Sequence, residues 1–236
     1  MLYLQISIMK NRSILILGLL MLYSTLSPSQ KSPGKSLLEQ KLQHKLDSLQ
    51  ASHKFPGATF AVLLPDGELI NIATGIADSL SRSPMTPQHR MLSGSNGKTF
   101  FAAAALILET NGLYDLDDPI SDLIGEVELY DLIREHFLEP YGLKATEPSV
   151  HQELGNMAVG YSGNFSPFPF HGPMMEDGRL VFNPQFEWAG GGFVSNVVDL
   201  ARWSKELYHL VVISEENRKE MQKKVPAKTG QGHYYG

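Results

Sequence analysis

Leu92-Ser93-Gly94-Ser95-Asn96-Gly97-Lys98-Thr99-Phe100 leads straight into an alanine- and leucine-rich run that extends to Thr110. That run has strong helical propensity, and Asn111-Gly112 supplies the residues that commonly close a helix. Ser95 and Lys98 stand three positions apart at its start, so on a helix they share one face. A serine hydroxyl is a poor nucleophile until a base takes its proton. A lysine serves as that base when burial or neighbouring positive charge tunes it. The helix start adds backbone N–H groups and the positive dipole end where an oxyanion would develop. Nucleophile, base and part of an oxyanion site can thus come from one turn. Ser-x-x-Lys is a short pattern, however, and the plainer reading is that Ser95 caps the helix while Lys98 is solvated.

Upstream, Ser36-Leu37-Leu38-Glu39 reads as a capping box that opens a helix. Leu38, Leu42, Leu46 and Leu49 then form one apolar face, and Pro56-Gly57 ends the unit. Ala58 to Leu64 and Glu68 to Thr74 read as two strands around a Pro65-Asp66-Gly67 turn. Ser79 to Gln88 is polar, with two prolines, and reads as a loop. Downstream, Tyr130 to Leu138 is a helix stopped before Pro140. Residues 148–187, rich in glycine, proline and aromatics, read as a long loop region of the kind that lines a site or is disordered. Asn196-Val197-Val198-Asp199 resembles a capping box and opens a helix through Leu210; Ser214-Glu215-Glu216 begins a last helix to about Lys224.

The chain has 236 residues, 42% hydrophobic and 19% charged, which fits a globular protein and not a disordered or fibrous one. With 25 acidic against 20 basic residues the net charge is −5, which argues against a nucleic-acid partner. The absence of cysteine excludes disulfides, thiol catalysis and cysteine-ligated zinc. Met9-Lys10-Asn11-Arg12 is cationic, Ile14 to Tyr23 is apolar, and Ser24 to Ser29 is mostly small and polar. That order reads as a secretory signal over residues 1–30, with a buried N-terminal helix as the alternative. A periplasmic or secreted mature domain over residues 31–236 follows, entered through the linker Lys31-Ser32-Pro33-Gly34-Lys35. The apolar run falls short of the ~20 residues a bilayer span needs, so no stable membrane span is expected once the signal is removed.

Several ordered stretches resemble the serine β-lactamase-related family, which includes class C β-lactamases, D-alanyl-D-alanine carboxypeptidases and related esterases. Phe55-Pro56-Gly57-Ala58 and Asp66-Gly67 resemble its opening hairpin, and Met85-Thr86-Pro87 leads to a nucleophile segment at Gly94 to Phe100. Leu113 to Ile120 resembles the loop after the nucleophile helix, and Arg134 to Leu143 a later helix. Ala189-Gly190-Gly191-Gly192-Phe193-Val194-Ser195 and Asp199-Leu200-Ala201-Arg202-Trp203 resemble a glycine-rich turn and the helix after it. The resemblance implies an α/β fold of the β-lactamase/transpeptidase type: an antiparallel sheet flanked by helices, with a helical subdomain carrying the nucleophile. It implies Ser95 as nucleophile and Lys98 as general base in an acyl-enzyme mechanism on an amide or ester, with no cofactor or metal and with a small molecule or peptide as substrate.

The chain departs from the family in two places. Tyr-x-Asn, whose tyrosine assists proton transfer in the family, is absent; Tyr130-Asp131-Leu132 and Tyr161-Ser162-Gly163 do not match it. The interval where it belongs looks internally shortened. Lys228-Thr229-Gly230 has the letters of the third family motif, but the residues after it resemble the start of the strand that precedes that motif. On that reading the true motif lies beyond Gly236 and the domain is incomplete. Two alternatives to an active hydrolase therefore stand: a non-catalytic relative that binds a ligand or partner, and a truncated inactive product. Among weaker candidates, Asp115, Asp117 and Asp118 read as a solvated turn, and His151 and His171 as loop residues outside any metal pattern. Trp188 and Trp203 read as packing residues, while Tyr161, Phe165, Phe168 and Phe170 line a cleft or pack against the core.

Overall fold

The computed structural model describes residues 33–115, 117–118, 128–163, 171–209, 212–226, 232 and 234–235. The signal stretch, Phe165, Phe168, Phe170 and Lys228-Thr229-Gly230 lie outside them. The chain divides into two units, Met1–Leu38 and Glu39–Gly236. Of the first, the described part is the opening of helix α1 (Pro33–His53); the site lies wholly in the second.

Helix α1 begins at Pro33, ahead of the expected start at Ser36. Proline suits the first helical position, where its missing N–H has no partner to lose. The expected leucine face is only partly covered: Leu42 and Leu46 are half-buried, but Leu38 and Leu49 are 38% and 37% exposed. Gln43 anchors the helix by donating from Nε2 to the Ala73 carbonyl at 2.9 Å. That carbonyl belongs to the hairpin of β1 (Gly57–Leu63) and β2 (Leu69–Gly75), paired antiparallel from Gly57↔Gly75 to Leu63↔Leu69. Alternation along β2 buries Ile70 and Ile72.

A short three-stranded antiparallel sheet positions the site. β9 (Phe193–Ser195) lies between β3 (Met91–Leu92) and β4 (Glu147–Pro148). The chain leaves β3 through a 3-10 turn (Gly94–Gly97) and enters α2 (Lys98–Thr110). α2 packs on α3 (Leu129–Ile133), which continues as a π turn through Leu138. The Glu139 amide donates back to the Arg134 carbonyl to close that wider turn.

The core joins these elements to α4 (Val197–Tyr208). Phe100 is fully buried and stacks on Trp203 with ring centroids 4.2 Å apart; Phe193 and Phe137 pack beside them. Trp203 also donates from Nε1 to Thr99 Oγ1 at 2.8 Å, so its polar edge is satisfied. The caps expected for the last helices are present. Asn196 Oδ1 accepts from the Asp199 amide at the start of α4, and Ser214 Oγ from the Asn217 amide at the start of α5 (Glu215–Met221).

Residues 148–187 are not uniformly loop. They hold two-residue antiparallel ladders, β5 (Tyr161–Ser162) with β6 (Gly172–Pro173) and β7 (Met175–Glu176) with β8 (Arg179–Leu180). A last pair, β10 (Val225–Pro226) with β11 (Tyr234–Tyr235), follows α5. No helix among the described residues is long and apolar enough to cross a membrane.

Candidate active site

The 3-10 turn brings the two predicted site residues together. Lys98 Nζ donates to Ser95 Oγ at 2.9 Å. The contact follows from the local geometry, since positions i and i+3 eclipse one another in a 3-10 turn. Ser95 is thus not the cap of an α-helix; it sits in the 3-10 turn that leads into the thirteen-residue α2. Both side chains are exposed.

The second partner of Lys98 is remote in sequence: Nζ also donates to the Gly190 carbonyl, in a short contact. The glycine-rich turn is pressed against the nucleophile turn by three interactions. Ser93 donates from Oγ to the Gly191 carbonyl at 3.0 Å, and its amide to the Phe193 carbonyl at 2.8 Å. Third, Gly97 abuts Gly191 so closely that a Cβ at position 97 would overlap the Gly191 carbonyl oxygen and lie 2.6 Å from its carbon. Asn96 and Thr99 hold the turn from within: Asn96 Nδ2 donates to the Ser93 carbonyl at 3.1 Å, and Thr99 Oγ1 to the Asn96 carbonyl at 2.7 Å.

Tyr130, on α3, stands over the other side of the glycine-rich turn. Its ring meets Phe193 edge-on at 5.5 Å and Phe101 at 5.7 Å. Its hydroxyl is buried against Gly192 with no hydrogen-bond partner among the described residues, and burial pushes its pKa above the usual 10. The Tyr161 hydroxyl is engaged elsewhere, accepting from the Ser79 amide at 2.8 Å and facing Asp78.

Other candidates take structural places. Asp115 and Asp118 accept turn amides, from Asp117 and Asp115 respectively. His171 Nδ1 lies 3.2 Å from the Gly163 carbonyl oxygen. Among the described residues no group of three or more His, Asp or Glu is placed to hold a metal. Trp203 is a core residue, as read; Trp188 is not, being 45% exposed at a φ of +32°, in a region that bulky residues rarely occupy.

Three functional features were not read from the sequence. The first is the Gly190 carbonyl as a partner of Lys98. The second is Asp199, which is buried and accepts from the Ala145 amide at 2.7 Å and Thr146 Oγ1 at 3.1 Å, fastening α4 to the segment before β4. The third is Glu187, half-buried, whose carboxylate lies where a Cβ on Gly191 would fall. The run Ala189 to Gly192 signalled a tight turn, but nothing in it says which carbonyl faces the lysine.

A family model described as Beta-lactamase matches residues 42–170. A curated protein described as Beta-lactamase, from Psychrobacter immobilis, is 31% identical over 134 residues, covering 52% of this chain and 33% of that protein. The chain thus spans about a third of the length of that relative. Among solved structures, D-amino acid amidase from Ochrobactrum anthropi SV3 in complex with D-phenylalanine superposes with a TM-score of 0.68 at 18% identity, covering 80% of this chain and 77% of that one. A D-stereospecific amidohydrolase from Streptomyces sp. gives 0.61 at 17% identity, covering 82% and 81%. At these identities the structural likeness is one of fold.

Proposed function

The chain belongs to the beta-lactamase family, and on that premise we propose that it is an exported serine hydrolase that cleaves an amide or ester through an acyl-enzyme on Ser95. Its fold is of the β-lactamase/transpeptidase type. The observation that carries the reading is the 2.9 Å contact between Lys98 Nζ and Ser95 Oγ directly ahead of α2.

In this reading Lys98 is the general base. Nζ takes the Oγ proton as Oγ bonds to the substrate carbonyl carbon, and the carbonyl electron pair moves to oxygen. The start of α2 stabilises that oxyanion. The tetrahedral species collapses, the leaving nitrogen or oxygen takes the proton from Nζ, and water later releases the acid by the same steps. The Gly190 carbonyl orients Nζ throughout. No cofactor enters these steps, and the partner is a small molecule or peptide. Export rests on the cationic and apolar residues before Ser24.

A second reading, a ligand-binding relative without turnover, is favoured by the absence of Tyr-x-Asn from the chain. Turnover of p-nitrophenyl acetate and of an amino-acid p-nitroanilide distinguishes the two. The hydrolase reading expects activity lost in Ser95→Ala, Lys98→Met and Lys98→Arg, the last because guanidinium keeps its proton. Turnover unchanged in Ser95→Ala overturns it. Expression in a bacterium should place the protein outside the cytoplasm, shortened by about 25–30 residues; recovery of the full-length chain in the cytosol removes the export reading.

A further inference from the structure

A cavity of about 500 Å³ lies beside the nucleophile turn. Of the chain's nine methionines, Met85, Met91, Met157, Met174 and Met175 line it, and all five are half-buried. They come from four separate stretches: the loop after β2, β3, the segment before β5, and the residues at β7. Methionine in a core usually fills gaps; here five of them surround open space. Leu180 and Phe182 complete the apolar wall. Phe186, 59% exposed, and Glu187 lie at its edge, so the cavity reaches the surface there.

Its position ties it to the chemistry. Gly94 lines the cavity, and the Ser95 Cα follows at one residue's distance, about 3.8 Å. Met91 and Leu92, the whole of β3, form wall and lead-in at once. The one hydroxyl in the lining, that of Tyr161, is already engaged by the Ser79 amide. The volume falls within the ~300–1,000 Å³ typical of small-molecule sites.

We infer that this methionine-lined cavity is the acyl subsite of the enzyme and takes a flexible, uncharged apolar chain. The inference rests on the hydrolase reading for its role and on the cavity for its specificity. Flexible thioethers adapt to a chain that bends, and the polar side chains in the lining are two, Tyr161 and Glu187, against five methionines, Leu180 and Phe182.

The test is the dependence of kcat/KM on chain length for p-nitrophenyl acetate, butyrate, hexanoate and octanoate. Burial of each added methylene is worth about fourfold, so octanoate should exceed butyrate by at least about tenfold, after discounting for incomplete burial. Met157→Trp and Met175→Trp, each filling the cavity from a different stretch, should lower the ratio of octanoate to acetate turnover by at least about tenfold. Binding of octanamide and acetamide to Ser95→Ala is measured alongside by calorimetry. A flat or falling chain-length profile with ester turnover present overturns the subsite and leaves the hydrolase reading intact. No turnover of any ester, with octanamide bound and lost in both tryptophan variants, keeps the pocket and removes the hydrolase reading. No preference for octanamide over acetamide, in a protein without turnover, removes the pocket as well.

Discussion

Replacing Gly97 by alanine adds a single methyl group at the tightest contact of the site. Gly97 is buried, with φ −59° and ψ −26°, values any residue adopts, so backbone strain plays no part. The cost comes from the neighbour: the new Cβ would overlap the Gly191 carbonyl oxygen and sit 2.6 Å from its carbon and 3.0 Å from its Cα. These are backbone atoms, and they cannot swing aside as a side-chain tip would. The two turns must part by about an ångström, and overpacking of this kind costs about 1–3 kcal/mol. In a domain of this size that lowers Tm by roughly 2–12 °C, at about 2–4 °C per kcal/mol. The same movement pulls Gly190 from Lys98 and displaces Ser95, and an error of about 1 Å at a reacting group costs about 10²-fold in rate. Gly155→Ala is the control, since its Cβ would meet nothing nearer than Arg90 Nη2 at 3.6 Å. Thermal unfolding and ester turnover are measured on both variants. Wild-type Tm and wild-type turnover in Gly97→Ala would refute the close docking of the two turns.

Asp199→Ala should lose about 1–3 kcal/mol in chemical denaturation, because the Ala145 amide and the Thr146 hydroxyl lose a buried acceptor; a loss below about 0.5 kcal/mol would contradict the fastening role. Tyr130→Phe should leave stability unchanged or raise it by about 1 kcal/mol, since the hydroxyl it removes is buried without a described partner. Burial raises the Tyr130 pKa, so its contribution to stability is present below pH 10 and is lost as pH rises through the folded value. That alkaline loss should shrink in the variant. Asp78 is held below its usual 3.8 by the Ser81 side chain first and the Leu80 and Ser81 amides next. Its contribution is therefore present above pH 3.8 and lost as pH falls through the lower folded value; Asp78→Asn should flatten Tm against pH in that window.

Local signals were readable in the sequence wherever one stretch decided the structure alone. The alanine- and leucine-rich run ending at Asn111-Gly112 gives α2 its observed bounds, and the Pro65-Asp66-Gly67 turn places both hairpin strands within a residue. The caps at Asn196 and Ser214 were equally legible, because a cap is a contact over three residues. The start of α1 lies three residues ahead of the capping-box serine, Ser36, with Pro33 at the first helical position. The 3-10 turn at Gly94–Gly97 was not legible at all: over four residues, periods of 3.0 and 3.6 cannot be told apart. Ser95 and Lys98 were found from spacing, and the contact between them exists in either kind of turn. The partners that complete the site were hidden for a different reason. Lys98 meets Gly190 across 92 positions and Asp199 meets Ala145 across 54, and such pairings are set by packing of whole elements.

The central claim is that Ser95 becomes acylated with Lys98 as its base. Intact-mass measurement after treatment with a fluorophosphonate probe, followed by peptide mapping, tests it most directly. The account predicts one adduct per chain, mapped to Ser95, absent in Ser95→Ala and strongly slowed in Lys98→Met and Lys98→Arg. An adduct that persists in Ser95→Ala, or labelling at the wild-type rate in Lys98→Arg, would contradict it.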